Sequence, residues 1–306
     1  MESSSNVIAP LTVAASARRD ELRGLALALL GVVFFSFSLP ATRLAVADLD
    51  PMFVAFGRAA VAAILSAVVL AVWRAPRPSR EQWRSLAIVA FGVVVGFPLL
   101  TALALRDVDS SHGAVVIALL PACTAVFAVL RAGEDPSRGF WVAAGAGLVA
   151  VLAFIASQGL GEIGLADVEL LVGTVMCSLA YAEGGALSRA LGGPQTICWA
   201  LVLAAPLSVP VAVASAPGGH VGTDAWLGFA YVSLFSMFLA FFAWYAGLAL
   251  GGVAKAGQTQ LLQTPLTLLL AALVLGEHVT VLAMVCTLAV LASIVGTQRA
   301  RVVRRV

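Results

Sequence analysis

The sequence predicts an all-α polytopic membrane protein of ten transmembrane helices, arranged as two inverted five-helix repeats. Three observations carry that reading. The 306-residue chain is 61% hydrophobic and only 11% charged, against roughly 25% charged in soluble domains, and its mean hydropathy is +1.02. Ten apolar stretches are each long enough to cross a bilayer, which takes about 20 helical residues. The cationic side chains fall almost entirely on one set of connecting loops, as the positive-inside bias requires. A soluble domain this apolar could not cover its own surface.

Residues 1–23 read as a cytoplasmic tail. The apolar run after it is too long for the core of a cleavable signal. The first repeat, 24–158, holds spans near 24–45, 51–73, 83–105, 110–131 and 139–158. The second, 168–297, holds spans near 168–190, 193–214, 225–250, 253–275 and 278–297. Gly and Pro punctuate the breaks, as in Gly192-Gly193-Pro194 and Ala216-Pro217-Gly218-Gly219. Residues 298–306 form a basic tail, which suits an anchor at the inner lipid face better than a nucleic-acid site.

With the N-terminus in the cytoplasm, 15 of the 18 cationic residues lie on cytoplasmic loops. Only Arg43 and Arg106 lie on the opposite loops, and Arg58 lies inside span 2. A wrong span count would scramble this alternation. The expected location is the plasma (inner) membrane, multi-pass, with both termini cytoplasmic. Cys123, Cys177, Cys198 and Cys286 all fall inside spans, with no metal or disulfide spacing, and read as small packing residues.

The halves resemble each other. SHGAVVIALLPACTAVFAVLRAGE (111–134) aligns with AKAGQTQLLQTPLTLLLAALVLGE (254–277). With small gaps to keep the register, Gly113 falls on Gly257, Pro121 on Pro265, and both segments end in Gly-Glu. Upstream, Pro51 matches Pro194 and Trp83 matches Trp226. Duplicating an odd number of spans places the copies in opposite orientations. Inverted repeats give secondary transporters two related states, one open to each side; duplication for stability alone is the alternative.

SLPATRLAV (38–46), the arginine of FGRAAVAAIL (56–65), LPACTAVFAVLRAGE (120–134) and QTPLTLLLAALVLGE (263–277) together resemble the drug/metabolite transporter superfamily, in particular its EamA-type members. The resemblance covers residues 24–297. It implies a ten-helix fold of two inverted halves around a central cavity, and secondary transport, often export of amino acids, related metabolites or drugs. Where the first half has Arg58, the second has Leu201, so the halves are not equivalent.

Arg58 lies about seven residues into span 2, roughly 10 Å below the outer boundary at 1.5 Å per residue. A cation at helix centre costs about 2.5–3.5 kcal/mol on insertion scales. Either it faces a cavity and attracts an anionic substrate group, or it snorkels or pins helices through backbone carbonyls. Glu183 is the one acid well inside a span, and the sequence places no cation beside it. It is expected to couple transport to protons or to recognise an amine; the plainer reading is a carboxyl at the wetted helix end.

Gln260, Gln263 and Thr264 fall at i, i+3 and i+4 on one face of span 9. They suit a hydrogen-bonding cavity wall or interhelical glue. Pro40, Pro98, Pro121 and Pro265 interrupt spans 1, 3, 4 and 9, and are candidate gating kinks or inert breaks. Tyr181, Trp244 and Tyr245 either line the pathway or pack.

No phosphate-cradling loop, HExxH or GxSxG occurs, and His112, His220 and His278 all fall near outer ends. No cofactor, metal or catalytic residue is expected. The partners expected are a small-molecule substrate and membrane lipid, with proton coupling, and no nucleic acid. The rival reading is an intramembrane enzyme acting on a lipid or isoprenoid.

Overall fold

The computed structural model describes residues 5–157, 164–276 and 281–304. It is almost entirely helical. Helix α1 (Ser5–Ser36) begins within the stretch read as a tail and is followed, after a break at Phe37, by α2 (Ser38–Val46). Helix α3 (Pro51–Val72) starts at Pro51 with the Asp50 carboxylate accepting from the Met52 amide at 2.8 Å, a side-chain cap on an otherwise free donor. Helix α4 (Arg80–Val89) opens with a Ser79/Gln82 capping box. It widens into a π-helical segment, Ala90–Gly96, and continues as α5 (Phe97–Asp107). Helices α6 (Ser110–Ile117) and α7 (Leu120–Arg131) are separated by a turn at Ala118-Leu119, and α8 (Arg138–Ser157) follows.

The second half repeats the scheme. Helices α9 (Leu165–Leu191) and α10 (Gly193–Ala214) meet at Gly192. Helix α11 (Thr223–Tyr231) widens into a second π segment, Val232–Leu239, and continues as α12 (Ala240–Gly251). Helix α13 (Val253–Gln258), a 3₁₀ turn (Thr259–Leu262) and α14 (Gln263–Leu275) form one broken rod, and α15 (Val281–Arg299) comes last.

The repeat is legible in the backbone. In the register set by Trp83 and Trp226, the two π segments occupy matching places. The glycines of the two Gly-Glu pairs, Gly133 and Gly276, both take left-handed φ angles, 66° and 70°, beyond the ends of α7 and α14; glycine tolerates that conformation without steric penalty. The packing also exchanges between halves: α3 lies on α10, α8 on α15, α1 on α12 and α5 on α9. The α1–α12 contact is a meeting of glycines. A Cβ added at Gly24 would stand 2.3 Å from the Gly251 amide nitrogen, a backbone approach that only small residues permit.

Among the described residues, seven helical runs are long and apolar enough to cross a membrane, the first being Arg18–Val46. Two spans expected from the sequence are present as shorter apolar helices, Leu120–Arg131 and Arg138–Ala150. Span 4 falls short because the turn at Ala118-Leu119 splits it. The expected span at 278–297 begins outside the described residues and is helical over Val281–Arg299.

The all-α expectation also needs one correction. Strand β1 (Glu134–Pro136) pairs antiparallel with β2 (Val302–Arg304), Glu134 opposite Arg304. Gly133 turns the chain out of α7, and Pro136 favours extended backbone before it. The basic tail after α15 therefore has a partner instead of lying free.

Candidate functional site

All four interrupting prolines sit in the first turn of a helix that follows a break. Pro40 is third in α2, Pro98 second in α5, Pro121 second in α7 and Pro265 third in α14. At the start of a helical segment the missing N–H costs least. Side chains of other helices also bond to the first carbonyls of α7: Gln258 Nε2 donates to Pro121 O at 3.0 Å, and Ser178 Oγ to Leu120 O at 3.2 Å. Sequence reading missed Pro206 and Pro210, which lie inside α10 without breaking it.

These breaks surround a buried cavity contributed by both halves. Arg58, Ser38 and Ser236 line one side; Tyr181, Gln260 and Gln263 line another. Pro98 reaches it as well. Its volume is ≈ 30 Å³, room for about two waters at the ~10–15 Å³ that each requires. A smaller adjoining cavity shares Gln260 and Gln263 and adds Thr264 and Thr267. Thr264 thus lies beside the central cavity, 3.5 Å from the Ala114 carbonyl.

Arg58 is 6% exposed. Its Nη2 donates to Ser236 Oγ at 2.9 Å, and Ser38 Oγ shares a 2.7 Å hydrogen bond with the same oxygen. Its Nε–H is buried without a protein partner. Among the described residues no carboxylate lies within ion-pairing distance of it. A buried cation with neither counter-ion nor full hydrogen bonding is costly unless the site is built for an anion.

Gln260 Nε2 donates to Gln263 Oε1 at 3.1 Å and approaches the Tyr181 hydroxyl at 3.4 Å, while Gln260 Oε1 is buried with no protein donor. Two of the residues lining the cavity thus carry an unpartnered buried polar atom, the donor Arg58 Nε and the acceptor Gln260 Oε1. Tyr181 faces the cavity. Trp244 and Tyr245 are fully buried behind it, with ring centroids 5.1 and 6.4 Å from its own. The Tyr245 hydroxyl donates to Ala180 O at 3.3 Å.

Glu183 requires a correction. No cation stands beside it along the chain, yet Arg131 Nε donates to Glu183 Oε2 at 2.7 Å and Ser85 Oγ donates to Oε1 at 2.5 Å. Arg131 counted only as a loop charge because the pairing joins the end of α7 to α9 across 52 residues of chain. Glu183 lies outside the Arg58 cavity. Ser38 and Ser236 were also missed: a serine in an apolar span carries no signal until its neighbours are known. Glu277, the second Gly-Glu acid, lies outside the described residues.

Comparison with known proteins identifies the architecture. A Bacillus subtilis (strain 168) protein described as the uncharacterized transporter YdeK is 51% identical over 252 residues, covering 82% of this chain and 88% of that one. A solved crystal structure superposes with a TM-score of 0.71 at 15% identity, over 90% of this chain and 98% of that one, which shows the fold alone. The EamA-like transporter family model matches twice, over residues 22–156 and 165–298, in agreement with the two halves seen in the backbone. The enzyme reading is thereby set aside, and the chain, a multi-pass membrane transporter of small molecules, belongs to the EamA-like transporter family.

Proposed function

We propose that the protein is a secondary exporter of small carboxylate-bearing metabolites, amino acids or related compounds and anionic drugs among them, with Arg58 as the receiving cation. The observation that carries this reading is the buried guanidinium, facing a cavity shared by both halves, with Nε unpartnered and no carboxylate among the described residues to neutralise it. Gln260 Oε1 in the same cavity would accept an N–H from the solute, so a zwitterion satisfies both groups. A cationic solute is disfavoured because among the described residues no acid lines this cavity, and Glu183 already holds Arg131.

The chain crosses the inner membrane ten times as two inverted five-helix halves, with both termini cytoplasmic. The exchange-symmetric packing and the charge distribution support this arrangement. Alternating access comes from rocking of the halves about this cavity, and the helix breaks at the four prolines allow the spans to bend. Proton coupling is assigned to Glu183, which Arg131 holds in an ion pair in this structure.

The test is counterflow in proteoliposomes with amino acids, hydroxy acids and the amines left by decarboxylation. Trace labelled solute outside should accumulate transiently for the acids and not for the amines. Arg58→Leu should lower acid counterflow by about 10–100-fold, the loss of a charged hydrogen-bond partner at ~1.5–3 kcal/mol. Accumulation of the amines, or full acid transport in Arg58→Leu, overturns the reading.

A further inference from the structure

Several buried hydroxyls in these spans bond back to the carbonyl four residues earlier. Ser36, Thr101, Thr174, Ser178, Ser188 and Ser233 all do so, at 2.6–2.7 Å. Such bonds satisfy the hydroxyl locally and leave nothing for a ligand. Ser38 and Ser236 depart from the pattern. Ser38 is the first residue of α2, after the break at Phe37, and the Phe34 carbonyl four residues behind it accepts from the Tyr231 hydroxyl instead. Ser236 lies inside the π segment Val232–Leu239, where the widened turn displaces carbonyls from their α-helical places. Ser236 Oγ instead accepts from Arg58 Nη2, and Ser38 Oγ donates to Ser236 Oγ.

The fold itself does not require this arrangement. In the matching places of the other half stand Leu201 for Arg58 and, within the first π segment, Val93 for Ser236. Val93 lines the same cavity. A π segment thus forms without a serine, and a span packs there without an arginine. The polar trio is an addition to one half. It ties α2, α3 and the second π segment to one nitrogen of the guanidinium and leaves Nε unpartnered.

We propose that Ser236, backed by Ser38, is the positioning residue for Arg58: it holds Nη2 and thereby aims the Nε edge at the carboxylate of the solute. The proposal rests on Arg58 being the anion site. A guanidinium fixed at one nitrogen loses little freedom when the anion arrives, so binding is tighter than to a mobile one. The serine acts on affinity and aim, and the charge comes from Arg58 alone.

The test uses the full-length protein in lipid nanodiscs, labelled with ¹⁵N-arginine, and sodium acetate as the carboxylate probe against sodium chloride. Arg58→Lys assigns the Arg58 signals by their loss. In the wild type, the Arg58 Nη signals should be split by slow rotation, and acetate should shift Nε saturably. Ser236→Ala should merge the Nη signals and weaken the acetate response roughly fivefold, the value of one ordinary hydrogen bond. Ser236→Thr should restore both, and Ser38→Ala should fall between. Split signals and an unchanged acetate response in Ser236→Ala overturn the proposal. So does a loss that Ser236→Thr fails to restore, since that is a packing effect. Acetate that leaves Nε unmoved in the wild type sinks the anion reading itself, a different outcome from either. Should Ser236→Ala not fold, Ser38→Ala carries the same comparison, and a wild-type response there counts against the relay.

Discussion

Arg131 and Glu183 form an ion pair of 2.7 Å between the end of α7 and the middle of α9. Three residues on, Glu134 reaches back to Arg189 of α9 at 3.5 Å. The two pairs have opposite polarity, so the segment Arg131-Ala132-Gly133-Glu134 clasps one helix twice. The clasp closes the end of the molecule where Lys255 pairs with Glu21 and the C-terminal strand adds to β1. Arg131 is 44% exposed at its side chain and Glu183 only 9%. Removing the arginine therefore strands a largely buried carboxylate.

Arg131→Ala should destabilise the protein by about 1–3 kcal/mol, between the ~0–1 of a surface pair and the ~3–5 of a broken buried one. The exchange Arg131→Glu with Glu183→Arg should recover at least half of that. Thermal unfolding in one detergent reads both. The same variant should open the clasped end: a cysteine placed at Thr42 in the cavity should react faster with an impermeant thiol reagent supplied from that side. Equal labelling in wild type and Arg131→Ala would show that the pair is structural and not a gate.

Glu134 is a cap supplied in trans. Its carboxylate accepts the Val253 and Ala254 amides at 2.8 and 2.7 Å, the free donors at the start of α13. It is 1% exposed. Glu134→Ala leaves these amides without their acceptor, at a cost of about 2 kcal/mol. Hydrogen exchange should rise across Val253–Gln258 and stay unchanged in α3, the measurement that separates a lost cap from general loosening.

The parts of the fold visible in the sequence were those set by backbone demands. Gly133, Gly276, Pro121 and Pro265 mark the same places in both halves because a left-handed turn and a helix start each restrict the residue whatever surrounds it. Arg58 was conspicuous because a cation in an apolar span is expensive, and Gln260 and Gln263 because their spacing puts them on one face. The partner of Glu183 was hidden, since Arg131 on a loop reads as a topology signal until α7 and α9 are placed side by side. The π segments were hidden too: AFGVVVG and VSLFSMFL carry no residue that demands the wider turn. Without them Ser236 reads as an ordinary span serine.

The glycines of the α1–α12 contact should be intolerant of a methyl group. A Cβ at Gly24 would meet Gly251 backbone at 2.3 Å, and one at Gly247 would meet the Ala28 nitrogen at 2.6 Å. Neither neighbour can yield without moving a helix. Each change to Ala should cost about 1–3 kcal/mol. Gly145 in α8 has nothing within 4 Å of an added Cβ. There, Gly145→Ala should stabilise by ~0.5–1 kcal/mol through lower backbone freedom in the unfolded chain. Opposite signs in unfolding midpoints separate close approach from helix propensity.

Gln260 distinguishes a substrate wall from helix glue. Its Nε2 is engaged with Gln263, while its Oε1 is buried without a donor. If Oε1 receives the N–H of a zwitterion, Gln260→Leu should raise the half-saturation concentration for alanine counterflow about 5–10-fold, one hydrogen bond at ~1–1.4 kcal/mol, and leave lactate, which has no N–H, unaffected. Glue would weaken both alike and lower the unfolding midpoint. Gln260→Glu goes further. It introduces a carboxylate into a cavity whose one charged lining group among the described residues is Arg58. The new acid would occupy the guanidinium from within, so alanine and lactate counterflow should both collapse while stability holds or rises. That pairing of lost transport with retained stability is the signature of a receiving cation already filled.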